Sequence, residues 1–149
     1  DCRERCDDSR VTTLAQCCIY TIRHSEQLRR IATQDGTGSF FERRAWTTGS
    51  ALFGQALAAD ERVAIVFAAA EHWSGLIYWG LLTDVALDYG DPAFGRKPRT
   101  DYAFESLRPI DPPRRMSDLT LAKARRPLSE DSIRPYAICL SPAWLRSDQ

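Results

Sequence analysis

Val63-Ala64-Ile65-Val66-Phe67-Ala68-Ala69-Ala70 is followed by Glu71-His72-Trp73-Ser74-Gly75 and then by Leu76-Ile77-Tyr78-Trp79-Gly80-Leu81-Leu82-Thr83-Asp84-Val85-Ala86-Leu87. The first stretch is apolar without alternation, the pattern of a strand covered on both sides. The second is a polar turn. The third alternates: Ile77, Trp79, Leu81, Thr83, Val85 and Leu87 point one way and form the expected core set, while Tyr78, Gly80, Leu82 and Asp84 point the other. Residues 62–87 therefore predict two adjacent buried β-strands at the heart of an α+β domain. Gly80 marks a bulge or bend in the second strand.

Upstream, residues 1–13 are polar and charged and read as a loose arm, leaving 14–149 as a single domain. Ile19, Tyr20, Thr21 and Ile22 favour a strand over 17–23. Ser25 suits the N-cap of a helix whose apolar stripe is Leu28, Ile31 and Ala32. Residues 35–39 are a glycine-containing loop without the lysine of a phosphate-binding loop, and Phe40 to Trp46 continues it. Thr47 or Thr48 can cap a second helix carrying Leu52, Phe53, Ala56 and Leu57. Downstream, 101–107 predicts a short strand, which Pro109, Pro112 and Pro113 should end. Ser117 caps a brief turn, 133–140 a last strand, and Ser141-Pro142 opens a terminal helix.

The chain has 149 residues, with 44% apolar and 27% charged content, an ordinary globular composition. Its apolar stretches run to about ten residues, short of the roughly twenty that span a bilayer, so no membrane segment is expected. The start, Asp1 to Cys6, lacks the apolar core of a secretory signal. Lysine plus arginine and aspartate plus glutamate balance at 20 each, but unevenly: residues 1–89 hold 9 basic and 12 acidic, residues 90–149 hold 11 and 8. Basic clusters stand at 96–99, at Arg114-Arg115 and at 123–126. The cysteines, Cys2, Cys6, Cys17, Cys18 and Cys139, are odd in number and follow no disulfide framework, which predicts free thiols and a cytoplasmic location. Four of them lack zinc-ligand spacing, and Cys17 and Cys18 would face opposite sides of a strand. No cofactor motif is present.

Cys18-Ile19-Tyr20-Thr21-Ile22, Trp46-Thr47-Thr48-Gly49, Asp60-Glu61-Arg62-Val63-Ala64-Ile65-Val66-Phe67 and Gly75-Leu76-Ile77-Tyr78-Trp79-Gly80-Leu81-Leu82 carry a resemblance to the PUA-like superfamily, especially its EVE and ASCH branches, related to YTH domains. Ala59-Asp60 stands where the family has Gly-Asp. The resemblance implies a small mixed β-barrel with peripheral short helices and a nucleic-acid partner, RNA or DNA. It also implies a partly aromatic pocket for a base, a modified one included.

A base pocket needs a flat apolar face and a few edge donors and acceptors. Trp46 with Thr47, Thr48 and Ser50 supplies both, and by resemblance Trp46 is the pocket tryptophan; a core tryptophan beside capping threonines is the other reading. His72 and Trp73, at the turn, either meet a ligand or cover the barrel end, and Tyr78 can line a cavity. Arg43 and Arg44 can hold phosphates, with Arg114 and Arg115 extending that surface, unless all four are simply solvated. The only histidines are His24 and His72. An ASCH-like amidohydrolase would need a lysine, Lys97 or Lys123, to meet Thr48 and Glu71. An interaction module would instead expose Trp73 without a concave pocket.

Overall fold

The computed structural model describes residues 13–130 and 135–147; the side chains of 72–74, 146 and 147 lie outside the description. Chain order is β1 (Cys17–Arg23), α1 (Ser25–Thr33), β2 (Gly38–Glu42), α2 (Thr47–Ala58), β3 (Ala64–Ala69), β4 (His72–Asp88), β5 (Arg99–Arg115), β6 (Tyr136–Leu140) and α3 (Ala143–Ser147), with 3₁₀ turns at Pro92–Phe94 and Met116–Asp118. The six strands form one mixed sheet in the order β2-β5-β4-β3-β1-β6. Only β1 and β3 run parallel, with Ile19 opposite Ile65 and Arg23 opposite Ala69. No described helix is long and apolar enough to cross a membrane.

The apolar run 64–69 becomes β3, and every residue in it is buried. Its even-numbered side chains join Cys18, Tyr20, Leu76, Trp79, Met116, Leu119, Cys139 and Leu145 on one face of the sheet. Ile65 and Phe67 join Ile19, Leu28, Trp46, Ala56, Tyr102 and Phe104 on the other, where α1 and α2 pack. Burying both faces removes the reason for alternation, so the run is continuous. Cys17 and Cys18 do face opposite ways, and Cys17, Cys18 and Cys139 are free thiols.

In β4 the expected phase does not persist. Leu76, Trp79 and Leu81 lie in the first cluster, whereas Ile77, Tyr78, Leu82 and Val85 pack on the second. Ladder irregularities at Phe67/Ala68 of β3 and at Leu76/Tyr78, Trp79/Leu81 and Leu82/Asp84 of β4 offset the register, and an extra residue on β4, as between Leu82 and Asp84, exchanges the faces of the residues beyond it, so that Leu82 and Val85 share a side. Gly80 does sit at one of them: a Cβ there would lie 3.0 Å from the Glu105 carbonyl oxygen. Thr83, on the expected core side, is exposed.

Three further expectations change. Residues 38–42, read as part of a loop, form β2 and pair with 100–104 of β5. The prolines do not end β5, which runs to Arg115. Beyond Phe104 no second described strand pairs with it, since β2 pairs only with 100–104 and the one backbone bond on that edge runs from Leu107 N–H to Gly36 O (3.0 Å), so the missing N–H donors of the prolines need not cost a ladder bond. Neither Ser25 nor a threonine caps a helix: the N-caps are His24 and Trp46, without side-chain bonds. Instead Glu71 reaches across and accepts hydrogen bonds from Ser25 N (3.1 Å) and Oγ (2.6 Å).

Among the described residues the sheet curls without closing into a barrel, because no ladder joins its end strands β2 and β6. Four inter-strand spacings separate β5 from β6, about 19 Å on a flat sheet. Yet Tyr102 of β5 and Tyr136 of β6 stack on opposite sides of one indole, that of Trp46, at centroid distances of 4.7 and 4.6 Å. The curvature lies on the α1/α2 side.

Candidate functional site

Trp46 enters this curl from the segment between β2 and α2. Its backbone N–H donates to Thr100 Oγ1 (3.0 Å), and the same hydroxyl donates to the Arg44 carbonyl (2.8 Å). Thr100 thus anchors the chain on both sides of residue 45. The indole is 0% exposed, and with Tyr102 and Tyr136 against its two faces it offers no flat surface to a ligand in this conformation. Of the two readings of Trp46, its position is the core one. Tyr136 is fixed by its hydroxyl, which accepts from Gly49 N (2.8 Å). Burial raises the Tyr136 pKa, partly offset by that N–H; burial raises Tyr102 more, against the Arg23 guanidinium.

Next to this stack a cleft of about 600 Å³ opens between α2, the start of β1, β6 and the segment 121–126. Ala51, Leu52, Leu121 and Ile138 give it apolar walls, with Thr48 and Gln55 as hydrogen-bonding groups and Lys123 and Arg126 as cations. Segment 119–128 is held there by Leu121 N–H to Arg126 O (2.8 Å), Ala122 N–H to Ile138 O (3.0 Å) and Leu140 N–H to Thr120 O (2.8 Å). The volume lies within the roughly 300–1,000 Å³ of small-ligand sites. Lys123, Arg125 and Arg126 ion-pair with none of the described residues, and all three are exposed. Cys17 also lines the cleft; burial raises its thiol pKa, and Arg125 opposes that. No carboxylate or histidine is among the described lining residues. The chemistry on offer is apolar contact, hydrogen bonding and anion attraction.

The other expected site residues scatter. Thr47 is exposed and Ser50 half-buried, and neither lines the cleft. Tyr78 lines a separate hollow of about 360 Å³ with Ser25, Arg29, Pro109 and Asp111. Arg43 and Arg44 flank the Thr100 anchor, whereas Arg114 and Arg115 lie at the opposite end of β5. There Arg114 sits over Trp144 (4.7 Å) and Arg115 pairs with Glu130. The surface expected to join the four arginines is therefore not formed. The side chains of His72 and Trp73 lie outside the described residues. Of the amidohydrolase trio, Thr48 and Lys123 share the cleft, but Glu71 is bound to Ser25 at the start of α1 and Lys97 lies in the β4–β5 turn.

No sequence pattern singles out Gln55, Leu121, Arg126 or Ile138. The only signal toward them is the basic cluster 123–126, with nothing to say that it folds back onto α2. Comparison with protein-family models, with curated proteins and with solved structures finds no match to this chain.

Proposed function

We propose that the chain is a PUA-like nucleic-acid-binding module, its curled sheet an open form of that barrel, and that it takes a base, modified or unmodified, into the cleft beside α2. The observation that carries the reading is the meeting of Thr48 and Gln55 with Lys123 and Arg126 around apolar walls. A nucleotide needs those three kinds of group: apolar surface for the ring, donors and acceptors for its edge, and cations for the phosphate. Trp46 contributes from behind, by fixing the start of α2 and hence the position of Thr48.

Anisotropy titrations of single-stranded and duplex RNA and DNA, with modified and unmodified bases at several salt concentrations, test this. The K123A/R126A double variant should weaken binding and flatten the salt dependence, by roughly 0.7 in logarithmic slope for each single-strand phosphate no longer neutralised. The T48A/Q55A double variant should change the ranking of bases and leave that slope intact. Salt-insensitive binding, or none, overturns the proposal.

Amide hydrolysis is a second reading, favoured by Thr48 and Lys123 sharing the cleft. It lacks a carboxylate among the described lining residues. Turnover of small amides that T48A abolishes, with oligonucleotide affinity unaltered, would select it.

A further inference from the structure

Among the described residues four large hydrophobic side chains are exposed, and three of them, Phe41, Tyr89 and Phe94, gather at one end of the molecule. Cross-strand register puts them there: Phe41 pairs with Asp101, and Asp88, next to Tyr89, pairs with Arg99. Phe94 stands at the tip of the turn that joins β4 to β5. Tyr89 is 63% and Phe94 85% exposed.

The tip is firmly built. Asp91 N–H donates to Arg96 O (2.7 Å), Arg96 N–H returns to Asp91 O (2.9 Å), and Asp91 Oδ1 accepts from Ala93 N. Asp88 accepts from Gly90 N (2.8 Å) and pairs with Arg96 (2.6 Å). Gly90 and Gly95 take positive φ angles of 76° and 71°, which glycine adopts without strain. A turn so fully bonded presents its aromatic ring at little further ordering cost on binding.

Cations are interleaved with these rings. Arg99 lies 4.0 Å and Arg43 5.3 Å from the Phe41 ring centroid. Three of the nearby acids are engaged by cations, Asp101 by Arg99, Glu42 by Arg23 and Asp88 by Arg96, while Asp91 accepts from Ala93 N, so that one carboxylate stands against the three cations Arg43, Arg44 and Lys97. Arg43, Arg44 and Lys97 ion-pair with none of the described residues, so positive charge is left over beside exposed aromatic faces.

We propose that this end is a stacking platform for single-stranded nucleic acid, with successive bases on Tyr89 and Phe94 and phosphates on Arg43, Arg44 and Lys97. Every base has a flat face, so such a platform binds without sequence preference. The inference rests on the nucleic-acid reading above and adds to it: the cleft takes one nucleotide, and the platform takes the strand that continues from it.

Anisotropy with a nucleoside monophosphate derivative and with a labelled strand of about twelve nucleotides, within the reach of such sites, separates the two. The Y89A/F94A double variant should unfold at the wild-type temperature, since both rings are exposed. It should bind the long strand about tenfold or more weakly and the mononucleotide as wild type does. K97A should flatten the salt dependence for the long strand alone. Long-strand affinity unaltered in Y89A/F94A overturns the platform and leaves a protein partner for the two rings. Weak long-strand binding by Y89A/F94A with K123A/R126A unaffected would instead sink the cleft and leave the platform standing.

Discussion

Thr100→Val exchanges a hydroxyl for a methyl of nearly equal volume at a position that is 0% exposed. It therefore removes hydrogen bonds without opening a cavity. Two disappear, from Trp46 N–H to Oγ1 (3.0 Å) and from Oγ1 to the Arg44 carbonyl (2.8 Å). Trp46 N–H is then buried without a partner, at about 1–3 kcal/mol, while the less buried Arg44 carbonyl costs about 1 kcal/mol. The sum, roughly 2–4 kcal/mol, is a large share of the 5–15 kcal/mol of an ordinary domain. With a urea slope of about 2 kcal/mol per molar, the midpoint should fall by roughly 1–2 M. Thr100→Ser keeps both bonds and loses one methyl, so it should cost about 1 kcal/mol or less. Urea titration followed by tryptophan fluorescence measures both. A Thr100→Val midpoint within about 0.3 M of wild type at an unchanged slope would refute the argument that this hydroxyl anchors the entry to α2.

The two glycines of α2 should respond with opposite sign. Gly54 has open space around a new Cβ, so Gly54→Ala should stabilise by about 0.5–1 kcal/mol, whereas at Gly49 a Cβ would meet Tyr136 Oη at 2.9 Å and Ile19 Cδ1 at 3.0 Å, so Gly49→Ala should lower the melting temperature. Tyr136→Phe keeps the stack on Trp46 and removes the bond from Gly49 N; a loss of about 0.5–1.5 kcal/mol in chemical denaturation is expected. Glu71 is held down to about 2 from 4.5, first by the Ser25 hydroxyl and then by backbone N–H groups. Its contribution is thus fully present above pH 4.5 and is lost as pH falls through about 2. Denaturation of wild type and Glu71→Gln across that range should give curves that converge toward low pH; parallel curves would show that the Ser25 contact does not stabilise the fold.

The central strands are legible in the sequence because their pattern is set by burial alone. Eight apolar residues in a row, 63–70, and the β-branched cluster at 19–22 read directly as β3 and β1. Phase along β4 is not legible, since each bulge is decided jointly by both strands of a ladder and leaves only Gly80 as a local mark. β2 escapes a local reading because its five residues pair with β5 some sixty positions later, and β5 reads as too short because a proline's cost depends on whether a neighbour needs its N–H. Of the candidate site, Thr48 and the basic cluster 123–126 are visible as separate pieces. Their meeting depends on segment 119–128 lying along β6, which no local pattern encodes. Trp46 stands out in the sequence, but its burial between Tyr102 and Tyr136 is a fact about three distant segments.

That same sandwich sets an order of events during synthesis. The first two partners, Trp46 and Tyr102, emerge well before Tyr136, and β1 pairs with β3 before it can receive β6. Until residues 136–140 have left the ribosome, one indole face and the outer edge of β1 stand open, and contacts across such separations form slowly. A chain arrested before β6 should therefore hold an accessible tryptophan and an unpaired strand edge, the two features that invite chaperone capture or aggregation. Arrival of Tyr136 closes both at once, so the C-terminal strand acts as the latch that commits the nascent chain to its final curl.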